Sequence, residues 1–273
     1  MRARTGRVVV MALLLRGLDT ACPATGEEVV NLPPTLVTEG ALPATELEAV
    51  FQASKSETER TYELAPSFQY APVPSLGVKL VVPLVGRDPS GPEDATGGVG
   101  DVGLVVKYAP LTIPALQLAV AGGVRLILPT GSEERGLGGT FDVGPFVAVG
   151  KGFGPLSLQA DAGYGWQLNH PPPIEPEEEG GERLKAHKEH GATANVAVTL
   201  SPITRLGLIL ELNSVTRVGG EDDGLKERVQ LYLTPGMAVE PAAGWNLRAG
   251  VQLPLTGARQ FDYNIIVILT KGF

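Results

Sequence analysis

The chain has 273 residues, a formal net charge of −8 and a pI near 5.0. That acidic balance excludes a nucleic-acid binder, whose phosphate contacts need clustered lysine and arginine. A single cysteine, Cys22, excludes an intrachain disulfide, a CxxC redox pair and cysteine-rich metal spacing.

The chain begins with Arg2, Arg4 and Arg7, the apolar run Val8 to Leu15, and the small-residue stretch from Thr20 to Ala24. This is the order of a secretory leader, and residues 1–24 are expected to be an atypical signal peptide, with Arg16 cutting the apolar run short. Asp19 sits badly with a lipid-anchored Cys22. Residues 25–43 are expected to form a periplasmic N-terminal segment. No other stretch approaches the roughly 20 apolar residues of a membrane-spanning helix, so a membrane protein of this sequence could cross only as a closed barrel.

From residue 44 to 273, glycines and prolines recur at short intervals, and the segments between them alternate with period two. In Thr61 to Tyr70, the residues Tyr62, Leu64, Pro66, Phe68 and Tyr70 share one face. In Leu156 to Asn169, the residues Leu156, Leu158, Ala160, Ala162, Tyr164, Trp166 and Leu168 do the same. The other expected strands are Thr45 to Ala53, Gly77 to Val85, Val99 to Ala109, Ala115 to Leu128, Gly139 to Val149, Ala192 to Leu200, Leu206 to Arg217, Arg228 to Val239, Trp245 to Leu255 and Phe261 to Phe273. The pattern predicts an all-β fold: a transmembrane antiparallel up-and-down β-barrel of about 12 strands.

Loop lengths support a barrel of the Gram-negative outer membrane. Short Gly- or Pro-containing connections (Pro72 to Leu76, Pro110 to Pro114, Gly150 to Pro155, Ser201 to Arg205, Glu240 to Gly244) alternate with mostly longer, charged ones, as periplasmic turns alternate with external loops. Tyr70, Tyr108, Trp245 and Phe273 fall near the short-turn ends, and Phe51, Tyr62, Phe141, Trp166, Phe261 and Tyr263 near the long-loop ends, as two interfacial girdles would. The alternation Ile265, Val267, Leu269, Phe273 makes Phe273 a candidate signal for the barrel-assembly machinery. Against this reading stand Pro66, Pro83, Pro145, Pro235 and Pro254, each inside an expected strand of a barrel with no free edge.

Three stretches carry a family resemblance. They are Leu36-Val37-Thr38-Glu39-Gly40 with Thr45 to Glu48, Gly98 to Leu104 with Lys107-Tyr108, and Leu128-Pro129-Thr130-Gly131. Here the chain resembles the outer-membrane barrels grouped under the "meta pathway of phenol degradation" name, often labelled transporters. The resemblance implies a barrel that passes small molecules and brings no catalytic residues.

With the apolar face toward lipid, the opposite face supplies candidate lumen residues: Glu63, Lys79, Asp101, Lys107, Arg125, Asp142, Asp161, Glu211, Glu240 and Arg248, with Glu46, Glu48 and Asp262. Such charges tune which solutes pass. The expected function is passive diffusion of small molecules, hydrophobic or aromatic ones among them; the alternative is a structural or interaction barrel whose lumen is filled. A lipid-modifying enzyme is the third reading; it would need a serine–histidine pair, and Ser157 and Ser201 have no histidine near them in sequence. His170, His187 and His190, with Glu175 and Glu177 to Glu179, and Glu221 to Gly224 read as polar external loops rather than metal sites, so no cofactor is expected. The expected partners are outer-membrane lipid, the assembly machinery and small solutes.

Overall fold

The computed structural model describes residues 29–91, 94–169, 190–219 and 228–273. The expected signal peptide and most of the His170 to His190 and Val218 to Glu227 loops lie outside these residues.

Twelve antiparallel strands close into one barrel. They are β1 (Glu46–Lys55), β2 (Glu59–Val73), β3 in two pieces (Leu76–Val81 and Leu84–Pro89), β4 in two pieces (Thr96–Val99 and Val102–Ile113), β5 (Leu118–Leu128), β6 (Asp142–Phe153), β7 (Leu156–Gln167), β8 (His190–Ile203), β9 (Leu206–Gly219), β10 (Val229–Val239), β11 (Trp245–Pro254) and β12 (Tyr263–Gly272). Each pairs with its neighbours in sequence, and β1 closes the ring on β12 from Glu46↔Gly272 to Lys55↔Tyr263. Closure removes the unpaired edge that an open sheet must protect.

Alternation decides which face meets what. Phe68, Tyr70, Val147, Leu158 and Leu210 are exposed on the outer wall, while Ser67, Gln69, Ala148, Gln159 and Glu211 between them are buried inside. An apolar belt around a polar interior is stable only with lipid outside, and among the described residues no helix is long and apolar enough to cross a membrane. The protein is a membrane-spanning β-barrel. Of the expected girdle residues, Tyr70, Tyr108, Trp245, Phe273, Phe51, Tyr62, Trp166 and Tyr263 are exposed. Phe261 departs from that expectation. It precedes β12, so alternation does not govern it, and its ring stacks on the buried Tyr232 at 4.7 Å.

The prolines sit at irregularities. Pro83 separates the two pieces of β3, and opposite it β4 carries one extra residue, since three steps from Val81 to Leu84 face four from Val99 to Gly103. Pro145 and Pro235 fall where the β6–β7 and β10–β11 ladders skip pairs, and Pro254 ends β11. Pro66 stays in the ladder opposite Ala49, its carbonyl accepting from Val82. A missing N–H is tolerated where pairing lapses or where the carbonyl alone is used.

The stretch expected as a separate periplasmic segment is placed differently: residues 29–44 run inside the barrel. Val30, Leu32, Ala41 and Leu42 pack on Ala109, Ala119, Ala121 and Ala148 of β4, β5 and β6. These inward side chains are too small to meet across the lumen, and the segment takes up the space they leave.

Candidate functional site

Inward polar side chains hold the segment along its length. Glu211, fully buried on β9, accepts hydrogen bonds from the Leu36, Val37 and Thr38 amides at 2.5, 2.9 and 2.9 Å and from the Thr38 hydroxyl at 2.9 Å. Three consecutive N–H groups converging on one carboxylate satisfy donors that an irregular strand would otherwise bury unpaired. Asp161 accepts from the Glu39 amide at 2.7 Å, and Gln159 donates to the Pro33 carbonyl at 2.6 Å. Arg248 donates to the Thr35 carbonyl and reaches Glu48 at 2.6 Å, and Glu48 is also held by Lys79 at 2.7 Å. Glycine makes room where the segment runs closest. A Cβ at Gly150 would lie 2.2 Å from Leu32, and one at Gly236 or Gly250 within 2.5 Å of Leu36.

Glu39 is the centre of this arrangement. Its carboxylate bridges Lys107 and Arg125, the latter at 3.4 Å, while Lys107 also donates to the Gly40 carbonyl at 2.7 Å. It also lines both of the large cavities. The inner one, about 540 Å³ at the short-turn end, surrounds the segment and includes Glu46, Glu48, Lys79, Trp245 and Arg248. The outer one, about 500 Å³ toward the long loops, is bounded by Arg125, Ile127, Phe146, Tyr164, Ala192 and Val215, with Asp142, Asp161 and Arg217.

The outer cavity reaches both faces of the wall. Gly144, Gly163, Gly165 and Thr193 line it from inside, whereas Pro145, Tyr164, His190 and Ala192 belong to the lipid-facing set. The cause is local. On β6, Val143 pairs with Trp166 and Phe146 with Gly163, but Gly144 and Pro145 between them have no partner on β7. Proline offers no N–H there, and the surrounding glycines add no side chain to cover the gap.

The expected lumen residues fall into distinct places. Lys79, Lys107, Arg125, Asp161, Glu211 and Arg248 anchor the segment, directly or through Glu39 and Glu48. Asp142 lines the outer cavity, and Glu63 is inward on β2 opposite Gln52. Glu240 stands in the turn after β10 and borders the inner cavity. Asp101 does not face the lumen as a free charge. The extra residue of β4 turns it to the long β5–β6 loop, where it accepts from Gly131, Gly139 and Thr140 amides at 2.8 to 2.9 Å and from the Thr140 hydroxyl at 3.0 Å. Sequence reading missed Glu39, Arg217, and Asn195 and Asn213, which link Asp161 to Glu211 around the wall, with Thr234 and Gln252 donating to Asn213. His190, the histidine among the described residues, pairs with Trp166, nine residues along β7 from Ser157, so these residues form no serine–histidine pair. Among the described residues no three His, Cys, Asp or Glu side chains group as metal ligands.

No family model and no curated protein matches the chain. Solved structures do match in fold. An outer membrane channel from Pseudomonas putida F1 is 14% identical and covers 89% of this chain and 100% of its own, with a TM-score of 0.66. The NanC porin is 10% identical, covering 84% and 100%, with a TM-score of 0.55. The beta domain of the Bordetella autotransporter Brka is 11% identical, covering 85% and 100%, with a TM-score of 0.54.

Proposed function

We propose that the protein is an outer-membrane channel that passes small, hydrophobic or aromatic solutes by diffusion. The outer cavity receives the solute, and the N-terminal segment restricts the inner half. The observation that carries this is the outer cavity itself: Ile127, Phe146, Tyr164, Ala192 and Val215 offer an apolar and aromatic lining. Its reach through the wall beside Pro145 suits solutes that partition into lipid, and its size falls in the range of small-molecule sites. The channel and porin among the structural neighbours support a conducting barrel, and the short motifs that resemble the phenol meta-pathway barrels support an aromatic solute.

Trp166 is the natural reporter, because its ring lies 4.7 Å from that of Tyr164 at the cavity wall. The chain has one other tryptophan, Trp245, at the opposite end of the barrel. In a Trp245→Phe background, 4-nitrophenol should quench Trp166 saturably; linear, unsaturable quenching would refute a binding cavity. A second reading, a filled structural barrel, is favoured by the segment's occupation of the inner half. A folded protein that never conducts in a planar bilayer, with the segment or without it, would select it.

A further inference from the structure

The outer wall of β1 to β4 carries a feature that neither the lumen nor the barrel closure uses. A groove of about 370 Å³ runs there between Phe51, Tyr62, Leu64, Leu84 and Val99, all on the lipid-facing side. Its floor is bare at Gly86, whose cross-strand partner just beyond the groove is a second glycine, Gly97. Neither glycine has a left-handed φ, and a Cβ at either position would meet nothing closer than 3.5 Å. Backbone geometry and intramolecular packing would therefore both accept a larger residue. Glycine in a strand interior weakens it and often marks a bulge, a bend or a site where a ligand or another backbone approaches closely.

Immediately toward the long-loop end, Lys55 of β1 lies directly opposite Arg60 of β2, on the same outward face as Phe51 and Tyr62. Like charges facing each other across strands repel. Among the described residues neither cation has a carboxylate at ion-pair distance; Asp88, the other cross-strand neighbour of Arg60, forms no ion pair with it. Outward lysines at the opposite end are engaged differently, Lys271 over Trp245 and Phe273 and Lys151 over Phe153. The Lys55–Arg60 pair stands two residues, about 7 Å, beyond Tyr62 and the upper edge of the groove.

We propose that this surface docks a phosphorylated acyl glycolipid of the outer leaflet, with Lys55 and Arg60 holding a phosphate and the groove over Gly86 holding one acyl chain. The phosphate relieves the repulsion of the cation pair through charge-assisted hydrogen bonds, and the chain fills the space over Gly86. This site is independent of the channel reading, since none of its residues lines the lumen cavities.

The test is native mass spectrometry of the full chain in detergent. The added probe is a bisphosphorylated, hexa-acylated glucosamine disaccharide, and its dephosphorylated form is the comparison. The parent should retain one copy of the phosphorylated probe and at least tenfold less of the other. Lys55→Gln with Arg60→Gln should lose at least tenfold in retained probe, as should Gly86→Leu, while Lys271→Gln keeps the parent level. Heat-modifiable migration on gels confirms that each variant is folded. Equal retention of both probe forms, or parent-level retention by the Lys55/Arg60 variant, would overturn the proposal. So would displacement of the lipid by millimolar inorganic phosphate alone. Should Gly86→Leu fail to fold, Gly86→Ala tests the groove with a smaller filling.

Discussion

Replacing Glu211 with glutamine asks whether the N-terminal segment keeps the lumen shut. The carboxylate takes four hydrogen bonds from the segment, three of them on one oxygen. Glutamine has nearly the same shape but keeps only one acceptor oxygen, and its NH2 group would face amide donors. Hydrogen bonds to a charged group contribute about 1.5–3 kcal/mol each, so losing the charge and at least one bond, with amides left unpaired, weakens the hold by about 3–5 kcal/mol. At about 1.4 kcal/mol per tenfold, the time the segment spends outside rises about 100- to 4,000-fold. Single-channel recording in a planar bilayer reads this directly. Glu211→Gln should show frequent large openings that are rare in the parent, with the barrel's resistance to heat in detergent unchanged. Traces identical to the parent's, from inserted and folded protein, would refute the segment as the closing element or Glu211 as its anchor.

Glu39 divides the two cavities, so Glu39→Gln should free Lys107 and Arg125 and shift the ion preference of the residual current toward anions, measured as a reversal potential in asymmetric salt. A Cβ at Gly150, as in Gly150→Val, first meets Leu32 and the stem of Gln159. It should dislodge the start of the segment at about 1–3 kcal/mol of overpacking, seen as faster proteolysis within residues 29–44 with the barrel intact. Asp101→Asn removes the charge that gathers the β5–β6 loop, and should lower stability by about 1–3 kcal/mol and speed trypsin cleavage at Arg135. Phe273→Ala should slow assembly in cells, measured as the delay before the heat-modifiable form appears, while refolding in detergent is unaffected.

The strands were legible because lipid imposes its demand at every second residue. Leu156 to Trp166 must be apolar on one side, whatever the rest of the chain does. The segment was not legible in the same way: it has no period, and its principal anchor, Glu211, lies 174 residues from Val37. A signal was nevertheless present in the inward positions. Ala119, Ala121, Ala148, Gly150, Gly236 and Gly250 are too small to fill a barrel of this width, which calls for something else inside. The charged inward residues were recognised by parity but not by role. Parity says that Glu211 and Arg248 face inward, not that the chain's own backbone awaits them there. Asp101 and Phe261 show where parity ends, the first at a residue inserted into a strand and the second in a loop just before one. The prolines were legible as anomalies, although only the pairing shows that Pro145 opens the wall and Pro66 does not.

The segment that fills the inner lumen is a ligand covalently tied to its receptor. Its effective concentration at the Glu211, Asp161 and Arg248 contacts is in the millimolar range or above, as for any binder on a short tether. A free solute that seeks those same groups competes against that concentration, so weak polar solutes are turned away without any steric filter. Apolar solutes confined to the outer cavity do not enter the competition. In the channel proposed above, selectivity would then come from the lumen's polar groups being already occupied, and a chain lacking residues 29–44 should bind polar solutes that the intact protein ignores.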